Sequence, residues 1–395
     1  MRVAVVGCGT GGPAAALLLT AAGHDVEIFE RVKTPSPVGA GLLLQPTGQA
    51  VLARLGLLEE IEARSARVER LHGETADGRV VMDLAYGDLA TGLHGLGVHR
   101  GVLFGALWRA LQRAGIGLRL GTEVTGVEDG WVLTAEGGRL GPYDPVIAAD
   151  GARSRLRAAT GLVRRAKRYP WGALWVILDD PQERHGGTLA QVYRGMREML
   201  GFLASGRPAG TPQVSLFWSV PIDRIPAIQA RGLDAWKADV RKLTRRADHL
   251  LDQVTEPGRL LPAAYEDVVM RRLHAGRLVF VGDAGHAMSP QLGQGVNLAL
   301  LDAHVLARCL GAHADIDVAL AAYSAERRAH LRFYAWASRL MTPVFQSHLG
   351  MLGPPRDLLL HPIARIPWMR RQFLASLAGA KTGVLGALDP GDYSA

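Results

Sequence analysis

Hydrophobic residues fall into short blocks punctuated by glycine and proline, and the blocks change character along the chain. Residues 2–6, Arg-Val-Ala-Val-Val, form a β-branched run that stops at glycine, the pattern of a short buried strand. Gly7-Cys8-Gly9-Thr10-Gly11-Gly12 follows, then Pro13 and an Ala/Leu run to Ala22. That run predicts a helix with proline in its first turn and Gly23 as its stop. Residues 26–29 predict a second strand, ending at Glu30, and 117–120, 124–127, 130–135 and 145–149 read as further short strands. From about 165 to 270 the runs 173–178, 189–193, 200–204 and 214–220 are divided by Gly/Pro-rich turns, predicting a mostly antiparallel sheet inserted into an α/β framework. In the last run, alternation puts Val214, Leu216 and Trp218 on one face and Ser215, Phe217 and Ser219 on the other. It does not say which face meets a ligand. The framework resumes with an apolar run from 277 into Gly282-Asp283, followed by helical patterns over about 296–310 and 318–340.

The first of these segments is a complete strand–turn–helix–strand unit, so its G-x-G-x-x-G spacing stands in the context that gives it meaning. Gly7 suits the tight turn, Gly9 the close approach of backbone to a pyrophosphate, and Gly12 the packing of helix on strand, with Gly11 in the same turn. Amides at the helix start favour phosphate charge, and Glu30 lies where an acid binds the adenosine ribose hydroxyls. A dinucleotide site is predicted.

Composition narrows the class. With 48% hydrophobic and 21% charged residues over 395 positions, the chain is globular and large enough for two domains, or one with an insertion. Cys8 and Cys309 are the only cysteines, which excludes a disulfide scaffold and a cysteine-rich zinc site. The longest apolar run, 13–22, falls short of the ~20 residues of a membrane helix, so no integral span is expected. The early glycines and the lack of a small-residue cleavage pattern point to a cytoplasmic protein without a leader. A net charge of +8 permits an anionic partner, yet the basic residues are scattered, and no nucleic-acid partner is expected.

Two later segments share the logic of the first. Ala149-Asp150-Gly151-Ala152-Arg153-Ser154-Arg155-Leu156-Arg157 follows a strand, and the segment from Gly282-Asp283 through Pro290, Gly293 and Gly295 to Val296-Asn297 runs from a strand end into a helix. An acid at a strand end suits hydroxyl recognition, and glycines at a helix start expose amides to an electron-rich group. Together the three motifs, in this order and over nearly the whole chain, resemble the single-component FAD-dependent aromatic hydroxylases, the para-hydroxybenzoate hydroxylase type.

The resemblance implies a Rossmann-like FAD-binding domain (residues 1–165 and 271–345, including part of the substrate side near 40–100). It also implies an inserted, mostly antiparallel substrate domain (166–270) and a C-terminal helical segment (346–395). It implies that Gly7, Gly9, Gly11 and Gly12 hold the pyrophosphate of non-covalent FAD, with Glu30 on the ribose and Arg31 beside it. Arg100 would reach FAD, the backbone of Val124 the adenine, and Asp283 the ribityl chain; Pro290, Gly293, Gly295, Val296 and Asn297 would line the flavin ring. Asp150 and Arg157 would contact FAD and, indirectly, the pyridine nucleotide, while the loop from Gly39 to Pro46, with Leu43, would lie on the substrate side. The implied reaction consumes NADH or NADPH and O2, and a flavin hydroperoxide delivers one oxygen to an aromatic or quinone-like small molecule.

His286 is the tempting general base, although a polar helix cap is the plainer role, and Cys8 reads as a small residue tolerated in the turn. His94, His99 and His361 lack metal-site spacing, so no metal is expected. Tyr193 and Trp218, on strands of the inserted sheet, are candidate substrate contacts. Large apolar residues and arginines mix from 358 to 374, offering either a membrane-surface helix or packing over the substrate domain or a dimer contact; Pro362 and Pro367 favour packing. A monomer and a homodimer are both compatible. A flavin-dependent halogenase is disfavoured by the missing Trp-x-Trp-x-Ile-Pro segment. A flavin reductase or dehydrogenase and a non-catalytic FAD-binding protein remain open, while a nicotinamide-only dehydrogenase leaves 282–297 unexplained.

Overall fold

Strands Arg2–Val6 and Asp25–Glu30 pair in parallel around the helix Gly11–Ala21, so the opening segments form the predicted unit. A computed structural model describes residues 1–36 and 40–388; Gly39 and the last seven residues of the C-terminal segment lie outside it. Val146–Ala148, Leu278–Phe280 and Gly117–Leu120 extend the parallel sheet on both sides, and His274–Ala275 adds a short antiparallel edge. Both faces of the central strands are covered, which is why residues 3–6, Val146–Ala148 and Leu278–Phe280 are apolar. Val3, Val5, Ile28, Ile147 and Val279 pack on the helices, whereas Ala4, Val6, Phe29, Val146 and Phe280 join the core shared with the small sheet of Val124–Glu128, Trp131–Thr134 and Arg139–Leu140. The carboxyl ends of the parallel strands leave Gly7, Glu30, Ala149 and Gly282 along one edge, where open α/β sheets bind ligands.

The second sheet has nine strands. Leu261–Met270, Val163–Asp179, Gln213–Pro221, Glu198–Gly206 and Gly187–Arg194 pair antiparallel in that order. Gly187–Arg194 then pairs parallel with Ala66–Thr75, which carries Val80–Ala85, Gly95–Val98 and Leu42–Leu44 beyond it. Residues 42–98 and 163–270 therefore build one sheet, and its four strands before residue 100 went unpredicted.

Alternation in Gln213–Pro221 sorts its residues as expected, and the register assigns the faces. Leu174 stands opposite Trp218 and Val176 opposite Leu216, on the face packed under the helices Ile225–Ala230, Leu233–Leu243 and Asp248–Leu251. Trp175 opposite Phe217 and Ala173 opposite Ser219 look the other way, into the crevice between the sheets. Trp218 is thus a core residue, 2% exposed, and its assignment to the substrate is corrected. The three covering helices were not predicted, although Trp236, Val240 and Leu243 carry helical spacing.

Helix Gly295–Ala312 has the length and apolarity of a membrane span, but it lies largely buried between the helices Gly11–Ala21 and Ile316–Phe345. The C-terminal segment forms two helices, Gly353–Arg365 and Pro367–Leu377, broken at Ile366 where Pro367 opens the second; Pro362 is accommodated inside the first. They pack on Val80–Ala85 through Leu84, Ala364 and Leu374, and Arg370 binds Asp88 and the Asp83 carbonyl.

A buried polar network supports the turn after Leu278–Phe280. Asp302 accepts from the Gly282 amide (2.8 Å) and from Arg327 Nε (2.6 Å), and it contacts His286 Nε2. Burial opposes its ionisation, but His286 and Arg327 outweigh that and hold its pKa at about 2. Arg327 also donates to His330 Nδ1 (2.6 Å), whose Nε2 donates to the Gly379 carbonyl (2.8 Å). Burial, reinforced by Arg327, lowers the His330 pKa to about 3, so the ring is neutral in the folded protein.

Two outcomes follow from this packing. Trp218→Ala should lower stability in denaturant titrations by about 3–5 kcal/mol, the cost of a large cavity in a core; a loss below 1 kcal/mol would place Trp218 outside that core. His330 is neutral when folded and protonates near 6.5 when unfolded, so its contribution is whole above about pH 6.5 and is lost as pH falls toward 3, at about 1.4 kcal/mol per pH unit. Urea unfolding of His330→Gln between pH 4 and 6 should show the slope against pH reduced by about one proton; an unchanged slope contradicts the neutral buried ring.

Candidate active site

Between the edge of the parallel sheet and the inner face of the nine-stranded sheet lies a crevice of roughly 520 Å³. Its two ends differ in chemistry.

The glycine turn forms one end, and its glycines divide the work. Gly7 has φ +106°, and a Cβ there would meet the Ala149 carbonyl oxygen at 2.4 Å; one on Gly12 would meet the Gly7 carbonyl oxygen at 2.1 Å. A Cβ on Gly9 would meet nothing within 4 Å, since that residue opens to the crevice together with Thr10 and Gly11 at the helix start. Cys8 is buried, and burial reinforced by Glu30 pushes its thiol up to about 12, which removes it as a nucleophile. Glu30 accepts from the amides of Cys8 (2.8 Å) and Val32 (2.9 Å), fixing its carboxylate at the strand end, and Arg31 is exposed next to it. The Val124 side chain is buried in the core with Phe29 and Val6.

Asp283, flanked by buried Gly282 and Ala284, is accessible from the crevice, which it lines. Desolvation raises its pKa, opposed by His286, Arg100 and Arg157. Arg100 enters the crevice from the start of helix Arg100–Arg113; desolvation lowers its pKa, while Asp283 and Tyr265 counteract this. Pro290, Gly293, Gly295 and Val296 continue the wall to the start of Gly295–Ala312. Asp150 holds a buried carboxylate oxygen with no hydrogen-bond partner, and desolvation raises its pKa.

Other motif residues brace the walls. Arg157 donates to the carbonyls of Ala284 (2.8 Å) and Ala152 (2.7 Å), tying the Asp150 loop to the Asp283 loop. Asn297 accepts from the Gln45 amide (2.8 Å) and donates to the carbonyls of Leu43 (3.2 Å) and Gly293 (3.0 Å). His286 spends Nε2 on Asp302 and does not line the crevice, so its reading as a general base is corrected to a support of the turn.

The far end is apolar and aromatic. Leu43, Trp175, Met199, Phe217 and Tyr265 line it, with Gln191, Gln291, Ser219 and Gln346 as its polar groups. Trp175 Nε1 donates to the Tyr265 hydroxyl (3.2 Å), and burial pushes the Tyr265 pKa up to about 12. Of these residues only Leu43 was named from sequence as a substrate-side residue; Phe217 and Ser219 were placed on one strand face that lacked a direction. Tyr193 does not line the crevice; its ring lies 5.3 Å from that of Phe345 in a neighbouring cavity, with its hydroxyl on Gln191 Oε1 (2.6 Å). Away from the crevice, Asp180, His185 and His249 each bring a ligand atom within 4.8 Å of the others, a grouping that the search for histidine spacing did not find.

This arrangement fits FAD. The open Gly9 turn and the helix start suit a pyrophosphate, the unpartnered Asp150 oxygen suits a hydroxyl or N–H donor, and the glycine-flanked start of Gly295–Ala312 presents backbone to a flat ring.

Comparison with known proteins agrees. The FAD binding domain family matches residues 1–335. A 3-amino-4-hydroxybenzoate 2-monooxygenase from Streptomyces cremeus is 31% identical over 79% of this chain and 79% of its own. A 6-hydroxynicotinate 3-monooxygenase from Pseudomonas fluorescens is 29% identical over 82% of this chain and 87% of its own. Among solved structures, Klebsiella pneumoniae HpxO complexed with FAD and uric acid superposes with a TM-score of 0.79 at 23% identity, covering 95% of this chain and 97% of that one. The chain belongs to the FAD binding domain family, among the FAD-dependent aromatic monooxygenases.

Proposed function

We propose that this protein uses NADH or NADPH and O2 to place one oxygen atom on an electron-rich aromatic small molecule. The observation that carries the proposal is the two-ended crevice: an anion-binding glycine turn and Asp283 at one end, and an aromatic pocket at the other. Bound FAD supplies the redox and oxygen chemistry.

The chain's own residues bind, orient and exclude water. Gly9, Thr10 and Gly11 receive the pyrophosphate, Glu30 the adenosine ribose and Asp283 the ribityl hydroxyls, while Arg100 offsets phosphate charge. Pro290 to Val296 support the flavin ring, with Asn297 and Arg157 holding that wall in place. Trp175, Phe217 and Met199 form the dry side of the pocket, where an oxygenating centre is shielded from solvent. Tyr265, kept protonated by burial, offers its hydroxyl as the donor nearest in kind to a phenolic substrate.

The test is oxygen-dependent NAD(P)H oxidation by the purified flavoprotein against phenols, quinolones and pyridine carboxylates, with product mass recorded. A stimulated rate with a gain of one oxygen atom is expected; stimulated oxidation that persists without O2 and leaves products without added oxygen would reassign the protein as a reductase. In parallel, Asp283→Ala should purify with less than a tenth of the wild-type flavin content, read from visible absorbance at matched protein concentration. Full flavin content in that variant would remove Asp283 from the cofactor site.

A further inference from the structure

A second cavity, of roughly 290 Å³, adjoins the crevice, and Leu71, Gln191, Gln291, Leu292 and Leu377 line both. Its remaining walls come from the inner side of helix Ile316–Phe345 and from the C-terminal helices, through residues such as Phe333, Ala337, Met341, Leu360 and Phe373. Polar groups there are spent on one another. Gln191 Oε1 accepts from Tyr193, Lys381 Nζ donates to Gln372 Oε1 (2.6 Å) and the Val384 carbonyl (2.8 Å), and Ser376 Oγ donates to the Gln372 carbonyl (2.9 Å). Gln291 Nε2 is buried without a partner in the partition shared by the two cavities.

An apolar space joined to a polar-edged aromatic pocket selects a molecule with the same division. We infer that the second cavity is a subsite for an unbranched or isoprenoid hydrocarbon chain carried by the aromatic substrate, with the ring in the crevice and a hydrogen-bond acceptor near the ring–chain junction facing Gln291. The lining is mostly apolar, Leu, Met, Phe and Trp side chains, which suits a hydrocarbon and offers little to a hydrophilic substituent. The cavity reaches the surface beside Trp336, Leu340 and Trp368, each about half exposed, which leaves a long chain room to extend outward. The inference rests on the proposed monooxygenase reading for the placement of the ring, while its test reads binding alone.

The probes are 4-hydroxybenzoate esters from methyl to decyl, titrated into the FAD-loaded enzyme and followed by the flavin absorbance change, with tryptophan fluorescence as a second signal. Affinity should rise about two- to fourfold per added methylene over several carbons before levelling, as expected for burial of ~0.8 kcal/mol per methylene. Ala337→Trp, which fills the cavity from the long helix, should abolish that dependence while leaving the methyl ester's affinity and the flavin content unchanged. Met341→Trp, also in the cavity wall, serves if the first variant does not fold. Affinity independent of chain length in the wild type, or a chain-length dependence that survives both substitutions, overturns the subsite. Chain-dependent binding without any oxygenated product would retain the subsite and count against the monooxygenase reading; oxygenation with flat chain dependence would do the reverse.

Discussion

A carboxylate with no access to solvent organises the catalytic half of this molecule. Asp302 is fully buried, and a buried charge persists only where partners replace the water it has lost. Its partners come from three places: the Gly282 amide and His286 beside the flavin-facing turn, and Arg327 on the long C-terminal-side helix. Arg327 continues through neutral His330 to the Gly379 backbone. The turn that aims Asp283 into the crevice is therefore held by the same chain of contacts that reaches Gly379, just past helix Pro367–Leu377. Removing one partner leaves the others uncompensated, so the network behaves as a unit.

The two sheets differ in how much of them is legible in the sequence. The parallel sheet is built on one local unit, Arg2–Val6 into Gly11–Ala21 into Asp25–Glu30, which carries its own punctuation; Gly117–Leu120, Val146–Ala148 and Leu278–Phe280 then join it from further along the chain. The nine-stranded sheet depends on a parallel pairing between Ala66–Thr75 and Gly187–Arg194, more than a hundred residues apart, which no local pattern announces. Alternation along Gln213–Pro221 did separate two faces. Both faces are buried, one under helices and one against the crevice, so hydrophobicity alone could not orient them. Trp218 and Phe217 look equally apolar in sequence and end on opposite sides.

A similar limit applies within the motifs. Asp150, Arg157, Asp283 and Asn297 all belong to segments that read as ligand-binding, yet of the four only Asp283 lines the crevice, while Arg157 and Asn297 brace its walls. Arg157 and Asn297 are fully occupied by backbone groups, whereas Asp150 keeps an unpartnered oxygen and Asp283 opens to the crevice. Spacing in a motif preserves both kinds of residue, because a misplaced wall disables a site as surely as a missing contact. Coordinates separate the two by showing where each hydrogen bond is spent.

Substrate choice belongs to the least legible part of the chain. The cofactor end relies on backbone amides and a few acids, and such features must recur with fixed spacing to work at all. The proposed substrate end would rely on shape, made by Trp175, Phe217 and Met199 from the sheet and, in the inferred subsite, by Phe333, Met341 and Phe373 from helices that carry no motif. Volume-conserving exchanges among apolar residues keep a wall packed while altering its outline. On the proposed reading, the geometry of helices 316–345, 353–365 and 367–377 against the sheet, more than any single polar residue, sets which molecule fits.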